Sequence, residues 1–185
     1  QITAGETDMY KVAFKLAEWT EENIQYNLST IAADTVEPSS WVLTNRKGVC
    51  DELTNLYISF CRSLGIPARF ISGVAYTNIL NDFGPHGWAE VYIDGQWIPM
   101  DIAYGQFGWV DATHVKFNEL TDPSQASASF EWSGYNFAIE PGGLNIEAEL
   151  TNIEYNQEQY LDIELIPIRT EVGPNSYLPI EVRLT

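Results

Sequence analysis

The sequence of 185 residues is poor in basic residues, and this shortage excludes one broad class of partner. Nine lysines and arginines stand against 26 aspartates and glutamates, which gives a formal net charge of −17 and a pI of about 4.2. A surface that acidic repels phosphate backbones, so we expect no nucleic-acid partner. The simplest interpretation of the charge is that it keeps the protein in solution.

Long apolar runs are absent as well. No stretch reaches the roughly 18 consecutive apolar residues of a membrane span, so we expect none in this chain. The sequence begins with Gln1 rather than methionine, and we therefore expect a processed form or a segment of a longer protein. Together with the acidic composition and a strand-like C-terminal part, this favours an extracytoplasmic or secreted protein, with a cytoplasmic enzyme as the alternative.

Thiols and imidazoles are scarce, with two cysteines and two histidines in the chain. Cys50 and Cys61 fall in one predicted helix, which separates them by about 16 Å along its axis. A disulfide needs Cα atoms within about 7 Å, so the two cannot pair. Neither the cysteines nor His86 and His114 have the short spacings of a structural zinc site, and we expect no metal and no cofactor.

The remaining composition suits one well-packed domain, because 45% of the residues are hydrophobic and 13% are aromatic. Apolar spacing predicts a helix over residues 8–22, one or two helical turns in SSWVLTNRKG before Gly48, and a helix from Cys50 to Leu64 that ends at LGIP. Alternation predicts a strand at ARFISGVAY. The segment HGWAEVYIDGQWIPMDIA is typical of a hairpin, with Asp94-Gly95 as its two-residue turn.

The chain changes character from residue 143 onward. The segments LNIEAELTNIEY, YLDIELIPI and YLPIEVRLT alternate apolar with acidic or polar residues, as half-exposed strands do. We therefore divide the chain into a main domain of residues 1–142 and a C-terminal part of residues 143–185. The second part is predicted to be a β-strand extension or the start of a truncated β domain.

Cys50 stands in the first turn of its predicted helix, shortly after Gly48. Most free cysteines fill space in a core, and we expect this role for Cys61 in the middle of the same helix. At a helix N-terminus, however, the dipole and the free backbone N–H groups favour a thiolate and can hold an oxyanion. Cys50 is therefore a candidate nucleophile, with core filling as the alternative.

A thiol nucleophile needs a base and a group that orients the base, and two histidines make the search short. With Asp94-Gly95 as the turn, residues i and 189 − i face each other across the hairpin. His86 then lies opposite Ala103, with Asp101 as its diagonal neighbour on the same face, within reach for an imidazole–carboxylate hydrogen bond. A register slip of one residue would separate the pair.

A second acid–histidine pair, Asp111 and His114, lies in GWVDATHVKF. No hairpin pairing supports it, so we expect His114 to be a polar residue at a loop or sheet edge rather than the base. Trp88 falls on the His86 face of the predicted hairpin. It is expected either to line a cleft or to shield the imidazole by packing.

The segment GVCDELTNLYISFCRSLGIPARFISG, followed by HGWAEVYIDGQWIPMD, resembles the transglutaminase-like superfamily, a branch of the papain-like thiol enzymes. The similarity covers roughly Trp41 to Asp111. In that family a Cys, a His and an Asp in this order form the catalytic triad, which implies those roles for Cys50, His86 and Asp101. The resemblance also implies an α+β fold in which the cysteine helix packs on an antiparallel sheet, here with a strand-rich C-terminal extension.

The implied activity is thiol-dependent acyl transfer on peptide or side-chain amides, with a protein or peptide as substrate. Deacylation by water would make a cysteine peptidase or amidase, which we expect because nothing marks a lysine-binding site. Deacylation by an amine would make a transglutaminase. Trp41 and Tyr26 are alternative second oxyanion donors, and both could equally be core aromatics. The rival hypothesis is a non-catalytic binding or assembly module of a larger surface protein that retains the fold.

Overall fold

The computed structural model of the chain describes residues 2–32, 36–78, 81–125, 163–167 and 180–184. The chain divides into two compact units, Gln1–Glu147 and Ala148–Thr185. The predicted domain boundary between residues 142 and 143 and the predicted strand LNIEAELTNIEY lie outside the described residues.

The described residues of the first unit form three α-helices, at the positions that the apolar spacing predicts. They are α1 (Met9–Asn23), α2 (Ser39–Asn45) and α3 (Cys50–Ser63), and a short 3₁₀ helix spans Leu28–Ala32. Asp8 begins α1, because its side chain accepts a hydrogen bond from the Tyr10 N–H at 2.9 Å. None of the helices in the described part of the chain is long and apolar enough to cross a membrane.

An antiparallel sheet forms the second layer of this unit. The strands of the unit are β1 (Gln25–Tyr26), β2 (Lys47–Gly48), β3 (Ala68–Thr77), β4 (Asp82–Ile93), β5 (Gln96–Asp101), β6 (Gln106–Phe107) and β7 (Val115–Leu120). Five of them form the sheet in the order β6-β5-β4-β3-β7, while β1 and β2 pair in parallel beside it. The α+β class is confirmed.

The hairpin of β4 and β5 has the predicted register. Ala89 faces Met100 and Ile93 faces Gln96, so paired positions sum to 189 along the whole ladder. Asp94 and Gly95 form the turn with positive φ values of 50° and 85°, which a two-residue hairpin turn requires. The register therefore gives even-numbered residues of β4 and odd-numbered residues of β5 one common face.

The helix α3 packs on the other face of the sheet. Its residues Leu56, Tyr57 and Cys61 are fully buried, together with Val91 of β4, which confirms Cys61 as a core residue. Gly65 ends the helix with φ of 80°, as the LGIP segment predicts. This packing fixes the direction of α3 and places its first turn against Gly87 of the central strand β4.

In the second unit, β8 (Ile163–Pro167) and β9 (Ile180–Leu184) form an antiparallel pair. They lie in two of the three segments whose alternation predicts strands. Leu165 and Val182 are exposed within this pair.

Candidate active site

Cys50 is the first residue of α3, directly after a tightly held connection from β2. The Glu52 carboxylate accepts a hydrogen bond from the Val49 N–H at 2.9 Å and another from the Glu37 N–H at 3.2 Å. Glu52 thus satisfies one of the free donors at the start of the helix.

Gly87 lets the first turn of α3 approach the sheet closely. A Cβ atom at this position would lie 2.7 Å from Asp51 Oδ1 and 2.3 Å from Phe70 Cζ, distances that no side chain could keep. The hydroxyl of Thr54, one turn further along α3, donates to the Gly87 carbonyl at 3.2 Å. The absence of a side chain at Gly87 therefore brings Cys50 beside the strand that carries His86.

His86 and Asp101 lie side by side, as the hairpin register predicts. Their Nε2 and Oδ2 atoms are 2.6 Å apart, and the second carboxylate oxygen accepts a hydrogen bond from the Tyr104 N–H at 3.0 Å. Asp101 is fully buried. Burial would raise the pKa of its carboxyl, but hydrogen bonds from His114 and His86 outweigh burial and lower that pKa.

His114 is a member of this cluster that the sequence analysis did not assign. Its Nε2 lies 2.9 Å from Asp101 Oδ2, the same oxygen that contacts His86, and its Nδ1 lies 3.2 Å from Asp111 Oδ1. The backbone stands in a loop before the edge strand β7, as expected, but the side chain is 0% exposed. The sequence analysis expected a polar residue at a loop or sheet edge and did not predict the buried contact of His114 with Asp101. The spacing of Asp111 and His114 did identify these two residues as a pair.

Aromatic rings hold the His86 imidazole from both sides. The Tyr104 ring stacks on it with centroids 4.5 Å apart, and Trp88 stacks at 6.1 Å. Trp88 is buried and also meets His114 edge-on at 5.2 Å. Of the two predicted roles for Trp88, packing that shields the imidazole agrees with this geometry.

A cleft of about 620 Å³ opens over Cys50 and His86. Most of its wall is apolar, and its lining residues are Tyr26, Leu28, Cys50, Ala75, Thr77, Gly84, Pro85, His86, Ala103 and Tyr104. Two of the three predicted site residues therefore face one cavity, with the third directly behind His86. Such a wall suits an extended chain with apolar side chains next to a polar reacting group.

The hydrogen-bond partner of the Cys50 thiol is Asp51 rather than His86. Its Sγ lies 3.6 Å from Asp51 Oδ1, and none of the hydrogen bonds among the described residues joins it to the imidazole. Burial raises the pKa of the Cys50 thiol to about 12, and the Asp51 charge adds to this shift, while the Gly87 N–H opposes it. These effects favour the protonated form of the thiol in this arrangement.

Tyr26 and Trp41, the two candidate oxyanion donors, lie in different surroundings. Tyr26 lines the cleft, and burial together with the nearby Cys50 raises the pKa of its hydroxyl. Trp41 packs against the core, with the Lys47 ammonium 5.8 Å from its ring. Tyr26 is therefore the candidate that faces the cleft.

The described residues contain one group of potential metal ligands. His86, Asp101 and His114 each offer a ligand atom, and these atoms lie within 4.8 Å of one another. Both histidine Nε2 atoms are directed at the same carboxylate oxygen rather than at a shared space between the three groups. The donor set thus satisfies itself through hydrogen bonds.

Comparisons with known proteins bear on the same residues. A family model described as the transglutaminase-like superfamily matches residues 1–102, a range that includes Cys50, His86 and Asp101. A comparison with curated proteins finds no match.

Several solved structures are similar to this chain. A putative cysteine protease from Cytophaga hutchinsonii is 28% identical with a TM-score of 0.56, and the match covers 65% of this chain and 39% of that one. Calcium-bound LapG from Legionella pneumophila is 13% identical with a TM-score of 0.48, over 60% of this chain and 64% of that one. A structure described as a TGase is 16% identical with a TM-score of 0.45, over 58% and 30%. The chain therefore spans well under half of the Cytophaga protein.

The contact between Cys50 and Asp51 generates a prediction about the thiol. Asp51→Asn removes a negative charge next to Sγ, so the pKa of the Cys50 thiol should fall by about one unit toward its ordinary value. The measurement is the rate of alkylation by iodoacetamide against pH, followed by peptide mass analysis. The labelling curve of Cys50 should move to lower pH, while buried Cys61 stays unlabelled.

Asp94→Asn is the matched control for that experiment. It removes the same charge in the hairpin turn, at a residue with φ of 50° where asparagine is well tolerated. The control should leave the Cys50 labelling curve unchanged. An equal shift in both variants, or none in Asp51→Asn, would show that the Asp51 carboxylate does not govern the thiol.

Proposed function

The chain belongs to the transglutaminase-like superfamily, and from this premise we propose that it is a thiol enzyme acting on peptide or side-chain amides. Cys50 is the nucleophile, His86 the general base and acid, and Asp101 the residue that orients the imidazole. The outcome that we propose is hydrolysis, which makes the protein a cysteine peptidase or amidase. The substrate is a protein or a peptide.

One observation carries this proposal. Cys50 and His86 face the same cleft, and the His86 Nε2 is engaged by Asp101 at 2.6 Å. A neutral imidazole that donates its Nε2 proton to a carboxylate has an unprotonated Nδ1, which can accept the proton of the nucleophile. A nucleophile, a base and an oriented third group are what covalent catalysis by a thiol requires.

The proposed reaction begins when the Cys50 thiol turns from Asp51 toward His86 and gives its proton to Nδ1. The thiolate sulfur attacks the amide carbonyl, and the carbonyl oxygen becomes an oxyanion near the Cys50 N–H and the Tyr26 hydroxyl. The His86 imidazolium then protonates the leaving amine as the C–N bond breaks. Water, deprotonated by His86, cleaves the resulting thioester and restores the thiol.

Asp101 supports both proton transfers without accepting a proton itself. Its carboxylate fixes the imidazole orientation and stabilises the positive charge that His86 carries between the two steps. The low pKa of this buried carboxyl is consistent with a group that stays charged throughout the reaction.

A binding or assembly module without turnover is a second candidate, and one observation favours it. The Cys50 thiol lies beside Asp51 with its pKa raised to about 12, which is the environment of an inert thiol. This hypothesis requires that the thiol stay in that position when a partner enters the cleft. The extracytoplasmic location expected from the composition stays a prediction under both hypotheses.

The first experiment compares Cys50 alkylation in the parent protein and in His86→Ala. A thiolate–imidazolium pair should make Cys50 label below about pH 8.5, the ordinary thiol range. In His86→Ala the thiol loses its proton acceptor but retains burial and the Asp51 charge, both of which raise the pKa of the thiol, so labelling should move to higher pH. His114 remains in both proteins, and Cys61 serves as the silent internal control. Identical alkaline labelling in both proteins would support the binding module instead.

The second experiment distinguishes hydrolysis from amine transfer. Unstructured casein is incubated with the parent, with Cys50→Ala and with Cys61→Ala, each with and without a fluorescent primary amine. We expect new peptide termini from the parent and from Cys61→Ala, and a loss in Cys50→Ala of at least about 10²–10⁴-fold. Incorporated amine without hydrolysed product would overturn the hydrolytic proposal in favour of a transglutaminase-type reaction.

A further inference from the structure

A chain of four side chains runs from the cleft into the protein. It begins at His86, passes through the Asp101 carboxylate to His114, and ends at Asp111. The triad proposed above uses the first two of these groups and leaves the other two without a role. His114 is fully buried, so its position is a built feature of the site rather than a surface contact.

The two carboxylates determine the protonation of His114. Its Nε2 faces Asp101 at 2.9 Å and its Nδ1 faces Asp111 at 3.2 Å. A neutral imidazole has one N–H and could donate to only one of them, whereas an imidazolium donates to both. Burial would lower the pKa of His114, but the hydrogen bonds and charges of Asp101 and Asp111 raise it.

Asp111 is itself held as a charged group. Its Oδ2 accepts from the Gln106 amide at 2.7 Å, and its Oδ1 accepts from the Thr113 N–H at 2.8 Å and hydroxyl at 2.6 Å. These donors keep the pKa of the Asp111 carboxyl well below its usual range. Asp111 thus supplies a fixed negative charge behind the second histidine.

We propose that His114 is a positioning residue, held as an imidazolium between Asp101 and Asp111, that fixes Asp101 for His86 and sets the pH range in which His86 is protonated. The proposal rests on the function proposed above and extends it. Asp101 Oδ2 accepts from both histidines, so the share of its charge that faces His86 depends on the charge of His114. The two imidazole rings are 5.6 Å apart, close enough for a direct electrostatic effect.

Among the residues that the structure describes, Tyr104, Cys50 and Asp51 are the other titratable groups beside the two rings. Tyr104 contacts both rings, but burial raises the pKa of its hydroxyl, so it stays neutral below alkaline pH. Toward His86 the first turn of α3 adds Cys50 in the shared cleft and Asp51, whose carboxylate interacts electrostatically with the imidazole. Trp88 packs on both rings without a charge. Variants at positions 111 and 114 leave all of these groups in place.

The test uses the fact that the chain has only two histidines. Side-chain nitrogen-15 NMR of the histidine-labelled protein then shows His86 and His114 as two separable imidazoles, each titrated against pH. In the parent, both nitrogens of His114 should carry protons through neutral pH. In Asp111→Asn the His114 titration should move to lower pH, because one of its two anionic acceptors is gone. A neutral His114 at neutral pH in the parent would overturn the proposal.

Two further variants separate a charge effect from a structural one. In His114→Gln the side chain can still donate to Asp101, but its positive charge is lost, so the His86 titration should rise by about one pH unit. In the double variant that combines His114→Gln with Asp111→Asn, the local net charge returns to that of the parent. The His86 titration should therefore return toward the parent value. If the His86 titration is displaced as far in the double variant as in His114→Gln, altered packing rather than charge explains the displacement, and the proposal is contradicted.

The readouts need no substrate, so failure of this proposal differs from failure of the proposed function. If the histidine titrations shift as expected but Cys50 is alkylated at the same rate with and without His86, the proposed thiol activity is wrong. The proposed role of His114 is then still supported. If His114→Gln does not fold, the parent spectrum and Asp111→Asn still decide the protonation of His114. The pH dependence of casein hydrolysis should shift among the variants in the same order as the His86 titration. The change should appear in kcat rather than in KM.

Discussion

The buried carboxylate of Asp101 is the group on which the candidate site depends. A lone carboxylate without solvent would be strongly destabilising, and the protein compensates it with the His86 and His114 imidazoles and the Tyr104 N–H. These three contacts come from β4, from the loop before β7 and from the turn after β5. One charge therefore holds three separate parts of the chain in a fixed arrangement, and the proposed base, His86, lies in one of them.

The surroundings of His86 and Cys50, the proposed base and nucleophile, differ in charge. The N-terminus of α3 favours a thiolate, but burial and the neighbouring Asp51 act against it and dominate in this arrangement. Two basic side chains of the sheet, Arg69 and Lys116, pair with Glu90 and with Glu119. Histidine is therefore the side chain that we propose as the source of the positive charge that a reactive Cys50 requires.

Much of this arrangement follows from the sequence, because it rests on local patterns. The turn at Asp94-Gly95 fixes the register of β4 and β5, and the register alone places His86 beside Asp101. Apolar spacing locates α3 and puts Cys50 at its start. Each of these features depends on residues close together along the chain, where spacing and turn chemistry determine geometry.

Other features depend on contacts between distant segments, for which the sequence pattern gives no spacing rule. The pairing of β7 with β3 carries the loop with His114 over Asp101, and nothing in GWVDATHVKF indicates that partner. The orientation of the thiol toward Asp51 likewise depends on how closely α3 approaches Gly87. Two histidines on one carboxylate oxygen compete for its charge. If His114 remains an imidazolium while His86 exchanges protons, His114 supplies a constant positive charge and His86 the proton that is transferred. His114 is then as much a determinant of the reactivity of the site as His86.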